Sequence, residues 1–291
     1  MKVDFISDLH IDFWVKERNP ESPKLLKQIK KYCEMIDAKG GELLLIAGDL
    51  GHYFTQDSQF LLYMKTLYKN VIFVRGNHDM YLVSGKQQMK YEYDWKKRMQ
   101  EYKDFCKEND IYYLDGETVE INGYKFAGIG MSWDKSFYET KEKRIVKDQE
   151  VKEFYNNTMN DSRLIFNESD NYYIPLAYGG KYWHSKFDPF EYFQQEMEKL
   201  KKIEKVDLVV SHYAPINPYS EDNEYKDELS STFYMFDGIE EAKRIDPKYW
   251  VFGHMHKSVD INVENINFLC NPLGYPDENT YTTVKTIDLG V

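Results

Sequence analysis

The chain has 291 residues and a mass of 34.8 kDa, with 38 Lys and Arg against 49 Asp and Glu, a formal charge of −11. Hydrophobic residues make up 42% and aromatic residues 16%, enough to fill a real core, which excludes wholesale disorder. The acidic excess disfavours a protein that grips long nucleic acid by charge, because that mode neutralises phosphates with Lys and Arg.

Cys33, Cys106 and Cys270 are odd in number and scattered, without a CxxC pair, and the opening MKVDFISDLH places acids where a secretion signal needs an unbroken apolar run. No apolar run approaches the roughly 20 residues of a membrane helix. Cytoplasmic residence away from membranes is the expectation.

Short Val/Ile/Leu/Phe runs, each ending in polar residues, recur at 3–10, 42–49, 70–79, 206–212 and 249–256. Such runs predict central strands of an α/β protein with functional groups at their carboxyl ends. Apolar stripes predict helices at 21–37 and 56–69 between the first three. From 84 to 108 the pattern predicts one long charged and aromatic helix. Strands follow at 111–114, 118–121 and 124–130, with Asn122 and Gly123 as a hairpin signal. The segment at about 132–205 is the least regular, with helices expected at 148–162 and 189–203, the latter started by Asp188 as cap and Pro189 in the first turn. The tail from 259 to 289 alternates enough to be mostly strand. With no linker or repeat, the simplest organisation is a single domain over 1–291 carrying a large insertion or cap-like segment at about 132–205.

Asp8 and His10 are two apart, so a strand continuing to His10 would present both on one face. Carboxylate and imidazole together suit manganese, iron or zinc better than calcium. Asp49 closes its run behind Gly48, which lets the backbone approach a ligand. In Gly76-Asn77-His78-Asp79, Asn supplies a neutral oxygen, His a ligand or an acid, and Asp a carboxylate able to orient the imidazole. His212 closes the 206–212 run, and His254 and His256 lie in GHMH after YWVF. Each group alone reads equally well as a turn or a solvated strand end. Together they do not: five of the seven histidines stand at predicted strand exits beside Asp8, Asp49 and Asn77. Eight such groups exceed the needs of one tetrahedral ion. Two divalent ions bridged by a carboxylate, roughly 4 Å apart, would suit in-line displacement at phosphorus, so phosphate-ester hydrolysis is the expected reaction class.

Asp8-x-His10, Gly48-Asp49, Gly76-Asn77-His78-Asp79, His212 and Gly253-His254-x-His256, in this order, resemble the calcineurin-like metallophosphoesterase family. That resemblance implies a four-layer α/β/β/α sandwich with the site at the carboxyl ends of its central strands. It implies that Asp8, His10 and His256 hold one metal, that Asn77, His212 and His254 hold the other, and that Asp49 bridges them. Manganese or an iron–manganese pair is the implied cofactor, with zinc or nickel as options. In the implied mechanism metal-bound hydroxide attacks phosphorus, while His78, a non-ligand whose ring Asp79 holds, donates toward the leaving side.

The chain departs from the protein serine/threonine phosphatase branch, which continues GDxxDRG and carries GNHE. Here Gly48-Asp49-Leu50-Gly51-His52-Tyr53 and GNHD stand instead. The leading reading is therefore a phosphodiesterase acting on a small or nucleotide-type phosphodiester. Phosphomonoesterase activity, protein phosphatase included, and a nuclease of the DNA-repair type are the alternatives, and the complete ligand set disfavours a scaffold without catalysis. The expected partner is a small phosphorylated substrate, with oligomeric state unspecified. His52, Arg75, Trp133 and Tyr178 are candidate substrate contacts. For each a plainer role competes: a surface histidine, a structural ion pair for Arg75, and packing within the 132–205 segment for the aromatic group Tyr172, Tyr173, Tyr178, Trp183 and His184. Ser132, Trp133 and Asp134 follow a GIG turn and are candidates to line the cleft. The basic runs at 96–98 and 141–147 alternate with acids and read as solvated helical faces.

Overall fold

A computed structural model of the chain describes residues 1–167, 172–175, 181–184, 187–219, 228–278 and 282–290. Its first sheet explains the apolar runs. Strand β1 spans Lys2–Ile6 and β2 spans Gly41–Ala47; between them lie helices α1 (Ile11–Trp14) and α2 (Pro23–Met35). Alternate residues of β2 serve two cores: Leu43, Leu45 and Ala47 face a second sheet, while Leu44 and Ile46 pack under helices. A strand buried on both faces needs no polar alternation. Helix α3 (Phe54–Leu67) leads to β3 (Tyr68–Val74), α4 (Gly85–Lys90), α5 (Trp95–Glu108) and the short β4 (Tyr112–Tyr113). In this sheet β1, β2, β3 and β4 run parallel in that order, and β13 (Lys285–Asp288) closes the edge antiparallel to β1.

The second sheet begins with the hairpin of β5 (Glu117–Ile121) and β6 (Tyr124–Ile129). Its turn residues Asn122 and Gly123 both have positive φ, 54° and 81°, the geometry that makes Asn-Gly a hairpin signal. Next come α6 (Ser136–Glu142), α7 (Asp148–Thr158), α8 (Asp161–Leu164), the paired β7 (Tyr172–Pro175) and β8 (Lys181–His184), and α9 (Pro189–Leu200). Strand β9 (Leu208–Ser211), helix α10 (Ile239–Ile245), β10 (Tyr249–Phe252), β11 (Val259–Val263) and β12 (Ile266–Cys270) complete the sheet in the order β11-β12-β10-β9-β6-β5. The inner strands β12, β10, β9 and β6 are parallel neighbours.

Val3, Phe5, Ile72 and Val74 from the first sheet meet Phe126, Leu208, Val210 and Val251 from the second. Helices α2, α3 and α5 cover the outer face of the first sheet, and α7 and α10 the outer face of the second. This is the expected four-layer α/β/β/α sandwich.

Most expected elements appear with shifted ends. Helix α2 starts at Pro23 behind Ser22, whose side chain accepts from the Lys24 N–H, and α9 starts at Pro189 behind Asp188, which accepts from Phe190 and Glu191. The long helix expected at 84–108 is instead two helices. Glu92 and Tyr93 take positive φ, and Asp94 caps α5 through the Lys96 N–H; a local cap outcompetes continuation. The strand-like tail is broken after β12, where the described residues 271–278 form a loop that reaches the site described next.

Candidate metal centre

The loops leaving β1, β2, β3, β9 and β10 converge at one end of the two sheets. Strand β1 stops at Ile6, so Asp8 and His10 do not share a strand face as expected. Left-handed turns deliver them: φ is 52° at Asp8, 41° at His10, 57° at Asp49, 66° at His254 and 45° at His256. Each such non-glycine conformation costs on the order of 1 kcal/mol or more and clusters at functional sites. Backbone bonds across the loops hold the turns: Asp8 donates to the Gly48 carbonyl at 3.1 Å, His10 to Asp49 at 3.0 Å, and Gly253 to His212 at 3.0 Å. Glycine is required at two positions. A Cβ on Gly48 would lie 2.3 Å from His212 Nδ1, and one on Gly76 would lie 2.1 Å from Asp49 Oδ1.

Donor atoms of Asp8, His10 and His256 lie within 4.8 Å of one another, as do those of Asp49, His212 and His254. Asp49 stands between the groups. Its Oδ2 is 3.8 Å from His10 Nε2, and its Oδ1 is 3.4 Å from His212 Nε2. Asn77 Oδ1 lies 3.1 Å from His212 Nε2, beside the second group. Asp49 Oδ2 is buried with no hydrogen-bond partner among the described residues, and the Nε2 atoms of His10 and His256 face each other at 3.0 Å. A buried bare carboxylate oxygen and two converging imidazole nitrogens are the donor set of a cation site. These residues fit divalent metal ions.

Protein contacts aim the remaining ring atoms. His212 Nδ1 donates to the Ala47 carbonyl at 2.8 Å, His254 Nε2 to the Phe233 carbonyl at 3.2 Å, and His256 Nδ1 to Glu278 at 2.8 Å. Each leaves the other nitrogen for the centre, the usual way a ligand histidine is oriented. Asn77 Nδ2 donates to Asp161 Oδ1 at 2.8 Å, and Asp161 also accepts from the Tyr81 and Tyr155 hydroxyls. The charges are strongly coupled. Burial raises the Asp8 carboxyl. Burial would raise Asp49 too, but the imidazoles of His212 and His78 hold it well below the usual range. Burial pushes His10 down to about 3, whereas at His212 the Asp49 charge outweighs burial and carries the ring up to about 9. The carboxylates thus draw positive charge into the cluster. Adding manganese or zinc to chelator-treated protein is expected to raise Tm by about 5 °C or more, since saturation near 100 Kd stabilises by roughly 2.7 kcal/mol. An unchanged Tm in calorimetry would count against the site.

Asp79 does not hold His78. Its Oδ2 accepts from the backbone N–H groups of Asp49 at 2.9 Å and Gly76 at 2.6 Å, and its Oδ1 from Leu50 at 2.9 Å. Burial pushes this carboxyl up to about 7, with Asp49 adding to the rise. The partner of His78 Nδ1 is His52 Nε2, at 2.8 Å, and the Tyr275 hydroxyl is 3.2 Å from His78 Nε2.

Other sequence candidates fall elsewhere. Arg75 is buried, bonded to Glu196 at 2.6 Å and paired with Asp115, so the structural ion pair is its role and it offers nothing to phosphate. Trp133 is buried against Tyr155, Phe190 and Phe233, and Ser132 is buried beside it, so neither lines the cleft. His52 is buried behind His78 rather than presented to substrate. Tyr178 lies outside the described residues; in the same aromatic group Tyr172 pairs with His184 and Tyr173 with Trp183 across β7 and β8. Within the basic run 96–98, Arg98 is fully buried and donates to the Gly51, His52 and Tyr81 carbonyls. Sequence reasoning passed over Asp12, Asp161, Tyr275 and Glu278. Only Asp12, two residues past His10, stood near a motif.

A cleft of about 550 Å³ opens over the centre. Its floor carries Asp49, Asn77, His78, His254 and His256, and its walls carry Thr158, Tyr219, Glu228, Ser231, Tyr234 and Tyr275.

The family model for calcineurin-like phosphoesterases matches residues 1–258. The chain belongs to this family, and membership makes it a metal-dependent hydrolase of phosphate esters. Among solved structures it is similar to phosphopantetheinyl hydrolase from Mycobacterium tuberculosis, at 16% identity over 98% of this chain and 95% of that one, with a TM-score of 0.66. It is also similar to a dimetal phosphatase from Danio rerio, at 11% identity, 98% and 91% coverage and a TM-score of 0.44. A third match is a novel archaeal phosphodiesterase, at 14% identity, 99% and 93% coverage and a TM-score of 0.36. At these identities the likeness is one of fold. A search of curated protein sequences finds no match. Among the described residues no helix is long and apolar enough to cross a membrane.

Proposed function

We propose that this chain is a dinuclear metal-dependent phosphodiesterase acting on a small or nucleotide-type phosphodiester. Asp8, His10 and His256 would hold one ion and Asn77, His212 and His254 the other, with Asp49 between them as the shared ligand; manganese, alone or with iron, is the proposed metal. When bound, such a pair supplies Lewis acidity at the phosphoryl oxygens and lowers the pKa of water enough to furnish the nucleophile. The chain's own part is to position. His78 Nε2, with the Tyr275 hydroxyl beside it, faces the cleft where a leaving oxygen would need a hydrogen bond or a proton. Tyr219, Tyr234 and Tyr275 offer flat faces to a base or another apolar group.

The observation that supports a diester is the charge of the walls. Among the described lining residues there is no Lys or Arg, while Glu228 and Glu278 stand at the cleft. A diester brings one negative charge. A monoester brings close to two at neutral pH, and added anionic charge meets these carboxylates rather than a guanidinium clamp.

The test is the initial rate on bis(p-nitrophenyl) phosphate beside p-nitrophenyl phosphate, in manganese, with a chelated control. The diester is expected to be favoured by about tenfold or more in kcat/KM, a difference of roughly 1.4 kcal/mol, with both rates lost on chelation. A monoester preference would transfer the assignment to a phosphatase. Background rates on both, with metal bound, would remove it.

A further inference from the structure

Behind His78 lies a buried histidine that the reaction outlined above does not use. His52 is 8% exposed; its Nε2 is 2.8 Å from His78 Nδ1, and its Nδ1 is 3.0 Å from Asp12 Oδ2. Asp12 Oδ1 also accepts the His52 backbone N–H at 3.2 Å. The protons along this chain follow from donor and acceptor inventory. A carboxylate only accepts, so Asp12 requires the proton on His52 Nδ1. That leaves a lone pair on His52 Nε2, which requires a proton on His78 Nδ1. His78 Nε2 is then a bare lone pair facing the cleft; it gives a proton to a leaving oxygen only after taking one up, and in that imidazolium Nδ1–H still donates to His52 Nε2.

The surroundings keep His52 in place. The Arg98 guanidinium donates to the His52 carbonyl at 2.7 Å and to Gly51 at 2.9 Å, and Gln87 Nε2 donates to the His52 carbonyl at 2.5 Å. The Tyr81 ring stacks on the imidazole at 5.6 Å between centroids and 13° between planes, and Phe13 meets it from another side at 5.8 Å. A ring clamped by its backbone, both nitrogens and two aromatic neighbours has one orientation to transmit.

We propose that Asp12 and His52 are a positioning pair that fixes the ring orientation and tautomer of His78, the role the motif alone would give to Asp79. The catalytic part of this inference rests on the phosphoesterase reading of His78. The same logic operates wherever a buried acid holds a catalytic histidine in one tautomer, and losing the tautomer lowers kcat with the geometry intact.

The test uses the zinc-loaded full chain, with zinc chosen because it is diamagnetic, and two variants. His52→Leu removes the acceptor for His78 Nδ1–H, whereas His52→Gln places an amide oxygen within reach of it. Long-range ¹⁵N correlation spectra of labelled histidine report the tautomer directly. Wild-type His78 is expected to be protonated on Nδ1 with a bare Nε2. In His52→Leu this preference is expected to disappear and kcat to fall about 10- to 100-fold, with KM and metal content unchanged. His52→Gln is expected to restore the tautomer and most of the rate. A wild-type His78 protonated on Nε2 would overturn the proposal, and that spectrum decides even if His52→Leu does not fold. So would an unaltered tautomer and rate in His52→Leu, or equal losses in both variants accompanied by loss of metal. If the tautomers behave as expected but the wild type turns over no phosphate ester, the positioning pair stands and the proposed reaction falls.

Discussion

Asp49→Ala is expected to lower turnover by at least about 100-fold and to strip both metal positions, because one oxygen of Asp49 points to each donor group. The carboxylate is also the hub of the local charge. It holds His212 up to about 9, and the imidazoles in turn keep Asp49 ionised. Removing it leaves Asp8 as the one carboxylate among the proposed ligands and none among Asn77, His212 and His254. His78→Asn provides the contrast. Its ring touches His52 and Tyr275, so turnover is expected to fall about 100-fold while metal content stays near the wild-type value. Elemental analysis of the two purified variants beside their rates checks both. Full metal retention in Asp49→Ala, or metal loss in His78→Asn, would reverse the assignment of bridge and acid.

Asp79→Ala is expected to be the most destabilising single change at the site. The carboxylate accepts three buried backbone N–H groups, from Asp49, Leu50 and Gly76. Each unsatisfied buried donor costs about 1–3 kcal/mol, so a loss of about 3 kcal/mol or more follows, read as a lower midpoint in urea unfolding. Because these are the loops that carry Asp49 and Asn77, activity is expected to fall with stability. Asp79→Asn retains acceptor oxygen and should lose less. A stability change under about 1 kcal/mol, with kcat reduced alone, would instead restore the reading in which Asp79 serves His78.

These two expectations differ in where they came from. The place of Asp49 in the cluster was legible in the sequence because Gly48-Asp49 ends an apolar run, and strand ends of parallel sheets collect at one edge; a bridging role is what the family resemblance implies for it. The same reasoning located Asp8, His10, Asn77, His212, His254 and His256, and the structure brings all of them together. Asp79 was found but misread. In a short motif the nearest carboxylate looks like the partner of the nearest imidazole, yet here the carboxylate folds back onto its own loop. Arg75 and Trp133 failed for another reason: a cation or an indole close to a motif in sequence can point into the layer behind it, as both do.

By itself, then, the chain's order of residues determined the central strands and the set of candidate ligands at their ends. Strand periodicity is local, and sheet topology gathers the strand ends at one edge. Only the tertiary structure decided what aims those ligands and His78. Asp161 on Asn77, Glu278 on His256, and Asp12 through His52 on His78 are contacts between segments 84, 22, and 40 and then 26 residues apart. No periodicity links such distant positions. They meet because two packed sheets, and the left-handed turns at Asp8, His10, Asp49, His254 and His256, bring loops of unrelated sequence to one edge.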